Sequence, residues 1–297
     1  MLPLPPVVSE SFTAGMRKRG WSEGQNLVIE THASAGDPAR ALELAKELVA
    51  RRVDLVLAHN TANALAARQA TGSIPIVAWC GYPVEAGLTK SLARPDANIT
   101  GVASYASAEV WGKFVELLYE MRPSLRELGV LWDYVPPGFP DGPIALKEFR
   151  EAALRFGINV KIWTVHSERE LIDALSAIER GKIEALVVSA SGGIHNQPER
   201  RARIADLVAR RRLPVITDLA GLIFLSANCA LAYSPDLANV VDRLAHFVDR
   251  ILRGAKPADL PFELPARFNL AVNLKATRAL GLEVPPTLLA RADQVVQ

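Results

Sequence analysis

The chain has 297 residues, 49% of them hydrophobic, and its formal net charge is +2 at pH 7. That much apolar sequence is enough for the cores of two medium-sized domains, and the small, evenly spread charge predicts no nucleic-acid partner. Two cysteines are too few for a disulfide framework, and the histidines lack the spacing of a zinc site, so we expect no metal or cofactor. No apolar run approaches the ~20 residues that a membrane-spanning helix requires.

The first part of the chain predicts alternating helices and apolar strands. A helix over about 6–19 comes first, and a second helix begins at Asp37-Pro38, where a capping side chain precedes a proline at the first helical position. Apolar strands of this kind are typical of buried parallel sheets. The predicted strands are Leu27–His32, Asp54–Ala58, Ile74–Trp79 and Ile99–Ser104.

The second part repeats this alternation and then continues beyond it. Ser167 and Glu170 have the spacing of a capping box, for a helix that ends at Gly181. A long helix is predicted from Ser234-Pro235 to Gly254, followed by an extended segment, Leu260–Leu274, and a pair of short helices. The predicted strands are Leu128–Tyr134, Asn159–Val165, Ala185–Ala190, Pro214–Thr217 and Cys229–Ser234.

Residues 24–79 and 157–218 follow the same strand–helix–strand–helix–strand pattern. The repeat predicts an α/β protein with two Rossmann-like, doubly wound parallel-sheet lobes, joined by several crossover linkers. We expect an N-lobe of residues 1–104 with about 235–265, and a C-lobe of 105–234 with about 266–297. A small ligand would bind in the cleft between the lobes.

The first lobe has no counterpart of the strand Leu128–Tyr134, which precedes a helix in the second lobe. In a sheet of order 2-1-3-4-5 that strand is central, so its loss would leave unpaired backbone groups in the core. We therefore expect the native start to lie upstream of Met1, with the strand and a signal peptide before it. The alternative is that Leu2–Val8 forms a poor substitute strand, which its three prolines disfavour.

Candidate ligand-binding residues follow the carboxyl ends of the predicted strands, where open α/β sheets bind ligands. Aromatic rings would enclose an apolar group, hydroxyls and amides would hold a polar head, and Asp133 or Asp218 would pair with an ammonium group. Helix starts after Thr61 and Ser191 offer backbone N–H groups for a carboxylate. A Ser or Asn at such a position is also typical of a plain helix cap. The candidates are Asn60, Thr61, Trp79, Tyr82, Ser104, Asp133, Tyr134, Ser189, Ser191, Asp218 and Tyr233.

No motif in the chain predicts catalysis. There is no Gly-x-Ser-x-Gly elbow, no P-loop and no Gly-x-Gly-x-x-Gly sequence. One cysteine in each lobe is the arrangement of amino-acid racemases, whose two thiols face each other across the substrate. Cys80 follows a strand, but Cys229 begins one and so belongs at the opposite edge from the cleft. We predict that both thiols are structural and that no residue is catalytic.

Several segments across nearly the whole chain together form a specific pattern. They are residues 20–30, 73–77, 91–95 with 98–101, 202–207, 273–276, 279–282 and 285–293. In these segments the chain resembles the ABC-transporter substrate-binding proteins of the tryptophan/tyrosine-type family. The resemblance implies the fold of type I periplasmic binding proteins, a location outside the cytoplasmic membrane, and a monomer that delivers a small amino acid or aromatic acid-like solute to an ABC permease with a cytoplasmic ATPase.

Two positions depart from the family pattern. Asn60 stands where the family usually has glycine, and Tyr82 stands where it often has aspartate. Tyr82 with Trp79 and Tyr134 would suit a flat or aromatic ligand. Because no signal sequence is visible, a cytoplasmic ligand-sensing regulatory domain of the same fold stays open as an alternative, as does a two-lobed enzyme such as a racemase.

Overall fold

The computed structural model describes residues 6–34, 37–105, 107–133, 139–189, 198–217 and 229–297. The chain divides into two compact units, each assembled from three separate stretches of sequence. Unit 1 comprises Met1–Ala106, Gly138–Pro140 and Pro235–Arg267, and unit 2 comprises Ser107–Pro137, Asp141–Ser234 and Phe268–Gln297.

Helices and strands alternate along most of the described chain. The helices are α1 (Pro6–Lys18), α2 (Pro38–Ala50), α3 (Thr61–Ala70), α4 (Glu109–Met121), α5 (Asp141–Arg155), α6 (Glu168–Arg180), α7 (Pro198–Arg211), α8 (Leu237–Leu252), α9 (Leu274–Ala279) and α10 (Pro286–Ala290). The strands are β1 (Val56–His59), β2 (Ile76–Cys80), β3 (Ile99–Ala103), β4 (Glu127–Asp133), β5 (Asn159–Val165), β6 (Ala185–Val188), β7 (Val215–Thr217), β8 (Leu231–Pro235), β9 (Phe268–Asn273) and β10 (Gln294–Val296).

Unit 1 contains a three-stranded parallel sheet in the order β1-β2-β3. Successive residues of a strand point to opposite faces, so each strand contributes to two cores. Leu57, Val77 and Val102 pack with α1 and α8 on one face. Val56 and Ile76 pack with α2 and α3 on the other. The sheet is therefore covered by helices on both sides.

Helix α8 forms because an apolar stripe recurs along it and because its first turn is capped. Its buried residues are Val240, Val241, Leu244, Ala245, Phe247, Val248 and Ile251. The Asp236 carboxylate accepts a hydrogen bond from the Asn239 N–H at 3.2 Å. The predicted start at Ser234-Pro235 is wrong by a few residues, since Pro235 ends β8 and Asp236 is the cap.

A returning segment covers the far edge of β3. The Ala103 N–H donates to the Glu263 carbonyl at 2.9 Å, and the Glu263 N–H donates to the Gly101 carbonyl at 2.9 Å. The Thr100 hydroxyl donates to the Leu260 carbonyl at 2.7 Å. Arg243 of α8 holds the Glu263 carboxylate through two hydrogen bonds of 2.6 Å. The predicted extended segment is thus divided between this cover and β9.

Unit 2 contains a seven-stranded sheet in the order β10-β9-β8-β7-β6-β4-β5. All of its described pairings are parallel, and β4 lies between β5 and β6. The order β5-β4-β6-β7-β8 is the predicted 2-1-3-4-5 arrangement, so that prediction is confirmed for this unit. Strand β4 is paired on both sides, and its residues Leu128, Val130 and Leu131 are fully buried.

The predicted strand Leu27–His32 is wrong. In the described structure this segment joins no sheet, and its backbone makes one isolated bridge, between Glu23 and Leu27. Leu27 and Ile29 still pack against the core beneath α1 and α8, whereas Val28 is 82% exposed. The segment has the side-chain pattern of an edge strand but no neighbouring strand with which to pair. The substitute strand Leu2–Val8 is also not found, because Pro6 begins α1 and residues 1–5 lie outside the described part.

Within the described ranges, no helix is long and apolar enough to cross a membrane.

Candidate ligand-binding site

The carboxyl ends of β1, β2 and β3 bring two aromatic pairs to one edge of the unit 1 sheet. The parallel register aligns His59 with Trp79 at this edge. The His59 and Trp79 ring centroids lie 4.9 Å apart at 46°. The rings of Tyr82 and Tyr105 lie 5.5 Å apart at 32°. Because ligands bind at this edge of open α/β sheets, the four rings form a candidate binding surface.

Burial fixes the charge state of this surface. Desolvation lowers the pKa of His59 to about 4, so its imidazole is neutral at physiological pH. The Trp79 indole N–H is buried, and no described residue accepts a hydrogen bond from it. A buried donor without an acceptor is costly, and an oxygen atom of a ligand would satisfy it.

Asn60 connects β1 to α3 in a backbone conformation that favours glycine, with φ 72° and ψ 162°. Its N–H donates to the Trp79 carbonyl at 2.7 Å. Its side-chain oxygen accepts from the Asn63 N–H at 3.0 Å and caps α3. The geometry explains why the resembling family has glycine here. The interpretation of Asn60 as a helix cap is confirmed.

Thr61 is buried and ties the end of β1 to the turn after β2. Its hydroxyl oxygen accepts a hydrogen bond from the Gly81 N–H at 3.1 Å. The Asn63 amide donates to the His59 carbonyl at 2.6 Å, which fixes the same turn from the other side. These two hydrogen bonds connect the turn after β1 to the turn after β2 and to the end of β1.

The remaining unit 1 candidates lie at the ends of β2 and β3. The Ser104 N–H donates to the Cys80 carbonyl at 2.6 Å, so this bond places the residue after β3 beside the end of β2. Tyr82 is only 6% exposed and packs against Tyr105. All five unit 1 candidates are therefore gathered at one sheet edge: Asn60, Thr61, Trp79, Tyr82 and Ser104.

In unit 2 the described candidates are Ser189 and Tyr233. Ser189 follows β6, is buried and donates its N–H to the Leu131 carbonyl at 3.0 Å. Tyr233 of β8 stacks on Phe268 with centroids 5.3 Å apart and meets Phe114 edge-on at 6.1 Å.

Burial, followed by the charges of Glu116 and Asp293, raises the pKa of Tyr233, so its phenol is neutral at physiological pH.

The other unit 2 candidates cannot be placed as side chains. Asp133 ends β4, and its side chain lies outside the described part. Tyr134, Ser191 and Asp218 lie outside the described residues altogether. The ligand contacts predicted for all eleven candidates stay predictions.

His59 and Tyr105 also follow the predicted strands of unit 1, where the sequence predicts ligand contacts, but they are not among the eleven candidates, although each is the ring partner of one. The ring pairing itself comes from different strands, so no local pattern carries it.

The thiols of Cys80 in unit 1 and Cys229 in unit 2 are both buried. Cys80 is the last residue of β2, and Cys229 precedes β8, where its thiol donates to the Leu231 carbonyl at 2.9 Å. Among the residues that the structure describes, no three His, Cys, Asp or Glu side chains are grouped as metal ligands would be.

Comparison with known proteins identifies the family. The family model described as ABC transporter substrate binding protein matches residues 7–296. The chain belongs to this family. A curated relative, the "Tyrosine-binding protein" of Clostridioides difficile (strain R20291), is 24% identical to this binding protein over 275 residues, which are 92% of this chain and 76% of the relative.

Solved structures agree on the fold. A conserved domain protein from Vibrio cholerae O1 biovar El Tor str. N16961 superposes with a TM-score of 0.86 at 24% identity, covering 99% of this chain and 97% of that one. A Streptococcus pneumoniae ABC domain in complex with L-Trp gives a TM-score of 0.86 at 23% identity, with the same coverage of 99% and 97%. The predicted type I periplasmic-binding-protein-like fold of this binding protein is confirmed.

Proposed function

We propose that this binding protein captures an aromatic amino acid or a related aromatic acid outside the cytoplasmic membrane and delivers it to an ABC permease coupled to a cytoplasmic ATPase. The observation that carries the proposal is the pair of ring contacts, His59–Trp79 and Tyr82–Tyr105, at the carboxyl edge of the unit 1 sheet. Membership of the substrate-binding family over residues 7–296 supports a transport role. The names of two relatives, one tyrosine-binding and one bound to L-Trp, support an aromatic ligand.

The proposal gives the unit 1 residues distinct roles. The aromatic side chains would contact the ring of the solute, and the unpaired Trp79 N–H would donate to one of its oxygens. Neutral His59 adds no charge to this surface. Position 82 carries a tyrosine ring where the resembling family often has aspartate. The site would therefore bind the solute through aromatic rings and the Trp79 N–H donor.

We further propose that unit 1 and unit 2 are the two binding lobes, and that the unit 2 candidates complete the site. These are Asp133, Tyr134, Ser189, Ser191, Asp218 and Tyr233. A carboxylate among them would pair with the ammonium group of an amino acid. The protein would bind its solute without chemical change, as a monomer, and closure would be favoured by contacts made in the closed state alone.

The experiment is a thermal-shift screen of the purified protein, followed by calorimetry, against L-Trp, L-Tyr, L-Phe, aromatic carboxylic acids, L-Leu, nucleosides and sugars. A ligand at a hundredfold its Kd adds roughly 2.7 kcal/mol of stability. We expect a shift with aromatic acids and none with sugars. A response to L-Leu equal to that of the aromatic acids, or to sugars alone, contradicts the proposed ligand class.

Substitutions locate the site. Tyr82→Ala removes one ring of the Tyr82–Tyr105 pair and is expected to weaken binding of the best aromatic ligand at least tenfold. Trp79→Phe keeps a ring but removes the N–H donor, so it separates stacking from hydrogen bonding. Tyr119→Ala is the matched control, because Tyr119 stacks on Phe156 at 4.6 Å but lies on helix α4. Equal Kd values for Tyr82→Ala and Tyr119→Ala would remove Tyr82 from the site.

Cell fractionation tests the proposed location separately. The product expressed from its own genomic locus is expected in the extracytoplasmic fraction. Recovery in the cytoplasm alone would favour a ligand-sensing role instead.

A further inference from the structure

The side-chain amide of Asn63, in the first turn of α3, is hydrogen-bonded at both ends. Its nitrogen donates to the His59 carbonyl at 2.6 Å, and its oxygen accepts from the Ser34 hydroxyl at 3.3 Å. Asn63 and Ser34 are each only 6% exposed. A carbonyl accepts hydrogen bonds but donates none, so the NH₂ group of the amide faces His59 and the side chain has one orientation. A buried amide bonded in this way fixes the groups that it joins.

The bond to the His59 carbonyl completes the support of one peptide group. The Asn60 N–H donates to the Trp79 carbonyl at 2.7 Å. This N–H and the His59 carbonyl belong to the same trans peptide bond, so they point in opposite directions. The peptide plane between His59 and Asn60 is therefore held by β2 on one side and by the Asn63 amide on the other.

The backbone of Asn63 braces the same turn a second time. Its N–H donates to the Asn60 side-chain oxygen at 3.0 Å. In a capping box, the side chain of the third helical residue returns to the N–H of the cap residue. Here that N–H is already bonded to the Trp79 carbonyl, and the Asn63 side chain reaches the preceding carbonyl instead. The two asparagines together hold a turn in which Asn60 has a φ of 72°.

This turn determines where the ring of His59 lies. His59 is the last residue of β1, so the peptide plane after it, rather than a continuing strand, fixes its backbone. Its imidazole lies against the Trp79 indole, with ring centroids 4.9 Å apart. A tilt of the peptide plane would move one ring relative to the other. Because burial lowers the pKa of His59 to about 4, its titration also reports how far the ring is withdrawn from water.

We infer that Asn63 is a positioning residue of the unit 1 binding surface: its amide holds the His59 carbonyl and thereby sets the imidazole against the Trp79 indole. Asn63 acts through His59 and need not touch the solute. The inference rests on the proposed function only for its effect on solute affinity, whereas its effect on the two rings is measured without a solute.

Asn98 is a matched control in the same unit. Its amide nitrogen donates to the Ile74 carbonyl at 2.6 Å and to the Thr71 carbonyl at 3.2 Å. Asn98 directly precedes β3, so it lies at the amino edge of the sheet, whereas Asn63 lies at the carboxyl edge. Leucine has nearly the shape of asparagine but no polar side-chain atom. Asn63→Leu and Asn98→Leu therefore each remove an amide donor and keep the volume.

The first experiment follows the His59 ring by NMR in the wild-type protein and in both leucine variants. We expect Asn63→Leu to raise the pKa of His59 from about 4 towards 6.5, by about one or more, and to weaken the nuclear Overhauser effects between the His59 and Trp79 rings. Asn98→Leu is expected to change neither. Wild-type values in Asn63→Leu, or equal changes in the two variants, would show a purely structural role and overturn the inference.

Calorimetry with the best aromatic acid is the second experiment. We expect Asn63→Leu to raise the Kd roughly tenfold and Asn98→Leu by less than about twofold, because a site loosened by about 1 Å loses much of its affinity. Equal rises in Kd would contradict the role of Asn63. If no aromatic acid binds to the wild-type protein, the proposed function fails, and the NMR experiment still decides the role of Asn63.

Asn63→Asp is the second variant, for the case that Asn63→Leu does not fold. Its carboxylate keeps the shape of the side chain and an acceptor for the Ser34 hydroxyl, but at pH 7 it cannot donate to the His59 carbonyl. The nuclear Overhauser effects between the two rings are expected to weaken in this variant also. Wild-type ring contacts in Asn63→Asp would overturn the inference.

Discussion

The two units share one strand–helix pattern and differ in how their strands are paired. In unit 2, β4 is paired on both sides, by β5 and β6. In unit 1, β1 is paired with β2 on one side, and no described strand pairs with its other side. The segment Leu27–His32 stays outside any ladder, whereas β5, which follows the same Gly-x-Asn sequence, is a full strand. Pairing with β4 is therefore what β5 has and what the segment Leu27–His32 lacks.

The largest expected effect comes from matched leucines on either side of this comparison. Leu131→Ala empties a fully buried position of β4 and is expected to cost about 2–5 kcal/mol of unfolding free energy. Leu57→Ala, on the edge strand, is expected to cost about half as much, because Leu57 lines a small apolar pocket with Leu44 and Leu48, whose side chains can move into the vacated space. Urea unfolding measures both losses. Equal losses would show that β1 is packed as tightly as β4.

The free energy of unfolding is expected to fall in acid because of His59 in unit 1. Its pKa is about 4 in the fold and 6.5 in the unfolded chain, so the unfolded state binds more protons between these values. Stability is therefore complete above about pH 6.5 and falls as the pH is lowered towards 4, by up to about 3 kcal/mol. His59→Phe keeps a ring beside Trp79 but does not titrate.

Urea midpoints of both proteins at pH 7 and pH 4.5 check this term. The wild-type midpoint is expected to fall more than that of His59→Phe. Parallel falls in the two proteins would assign the acid sensitivity to other groups. In unit 2 the raised pKa of Tyr233 acts in the opposite range, where alkali favours unfolding.

Buried threonines fix a strand end in each unit, but they play opposite roles in their hydrogen bonds. Thr61 accepts from the Gly81 N–H at 3.1 Å, whereas Thr217 donates to the Val188 carbonyl at 2.5 Å. A buried N–H without an acceptor is tolerated less well than a carbonyl. Thr61→Val is therefore expected to cost about 1–3 kcal/mol, and Thr217→Val less.

Thermal unfolding of the two valine variants beside Thr61→Ser and Thr217→Ser makes the comparison, since serine retains the hydroxyl. A larger loss of stability for Thr217→Val than for Thr61→Val would contradict the expected order. It would show that the Thr61 hydroxyl contributes little to stability.

The smallest expected effect lies at the turn after β1. Asn60→Gly loses the cap but relieves the positive φ, so we expect a change of a few tenths of a kcal/mol. Asn60→Ala loses the cap and keeps the strain, at a cost of about 1–2 kcal/mol. Chemical denaturation of both variants tests this. Should alanine prove as well tolerated as glycine, the backbone strain at this turn would be negligible.

The sequence predicted the features whose causes are local. Strand β5 has the predicted bounds, and Asp37 caps α2 through the Ala39 N–H at 2.8 Å, as its position before a proline indicates. Ser167 caps α6 by accepting from the Glu170 N–H at 3.2 Å. The repeat between residues 24–79 and 157–218 predicted two parallel-sheet units because it samples two whole supersecondary motifs.

The features that were predicted wrongly, or not predicted at all, depend on distant parts of the chain. Leu27–His32 has strand-like residues, but a ladder needs a partner strand that residues within the segment cannot supply. The pairing of His59 with Trp79 and of Tyr82 with Tyr105 arises where separate strands end at one edge. The only indication of the positive φ of Asn60 is the glycine that the resembling family has at this position.

Helix α8 also governs the order in which the protein can fold during synthesis. It supplies much of the core that covers α1, and the side chains of Arg19 and Trp21 bond to Asp242 and Asp249, 223 and 228 residues further along the chain. A nascent chain that has not reached α8 cannot close this core, whatever helices it has formed. Most of unit 1 is therefore synthesised before unit 2, but its core closes only after α8 has been synthesised.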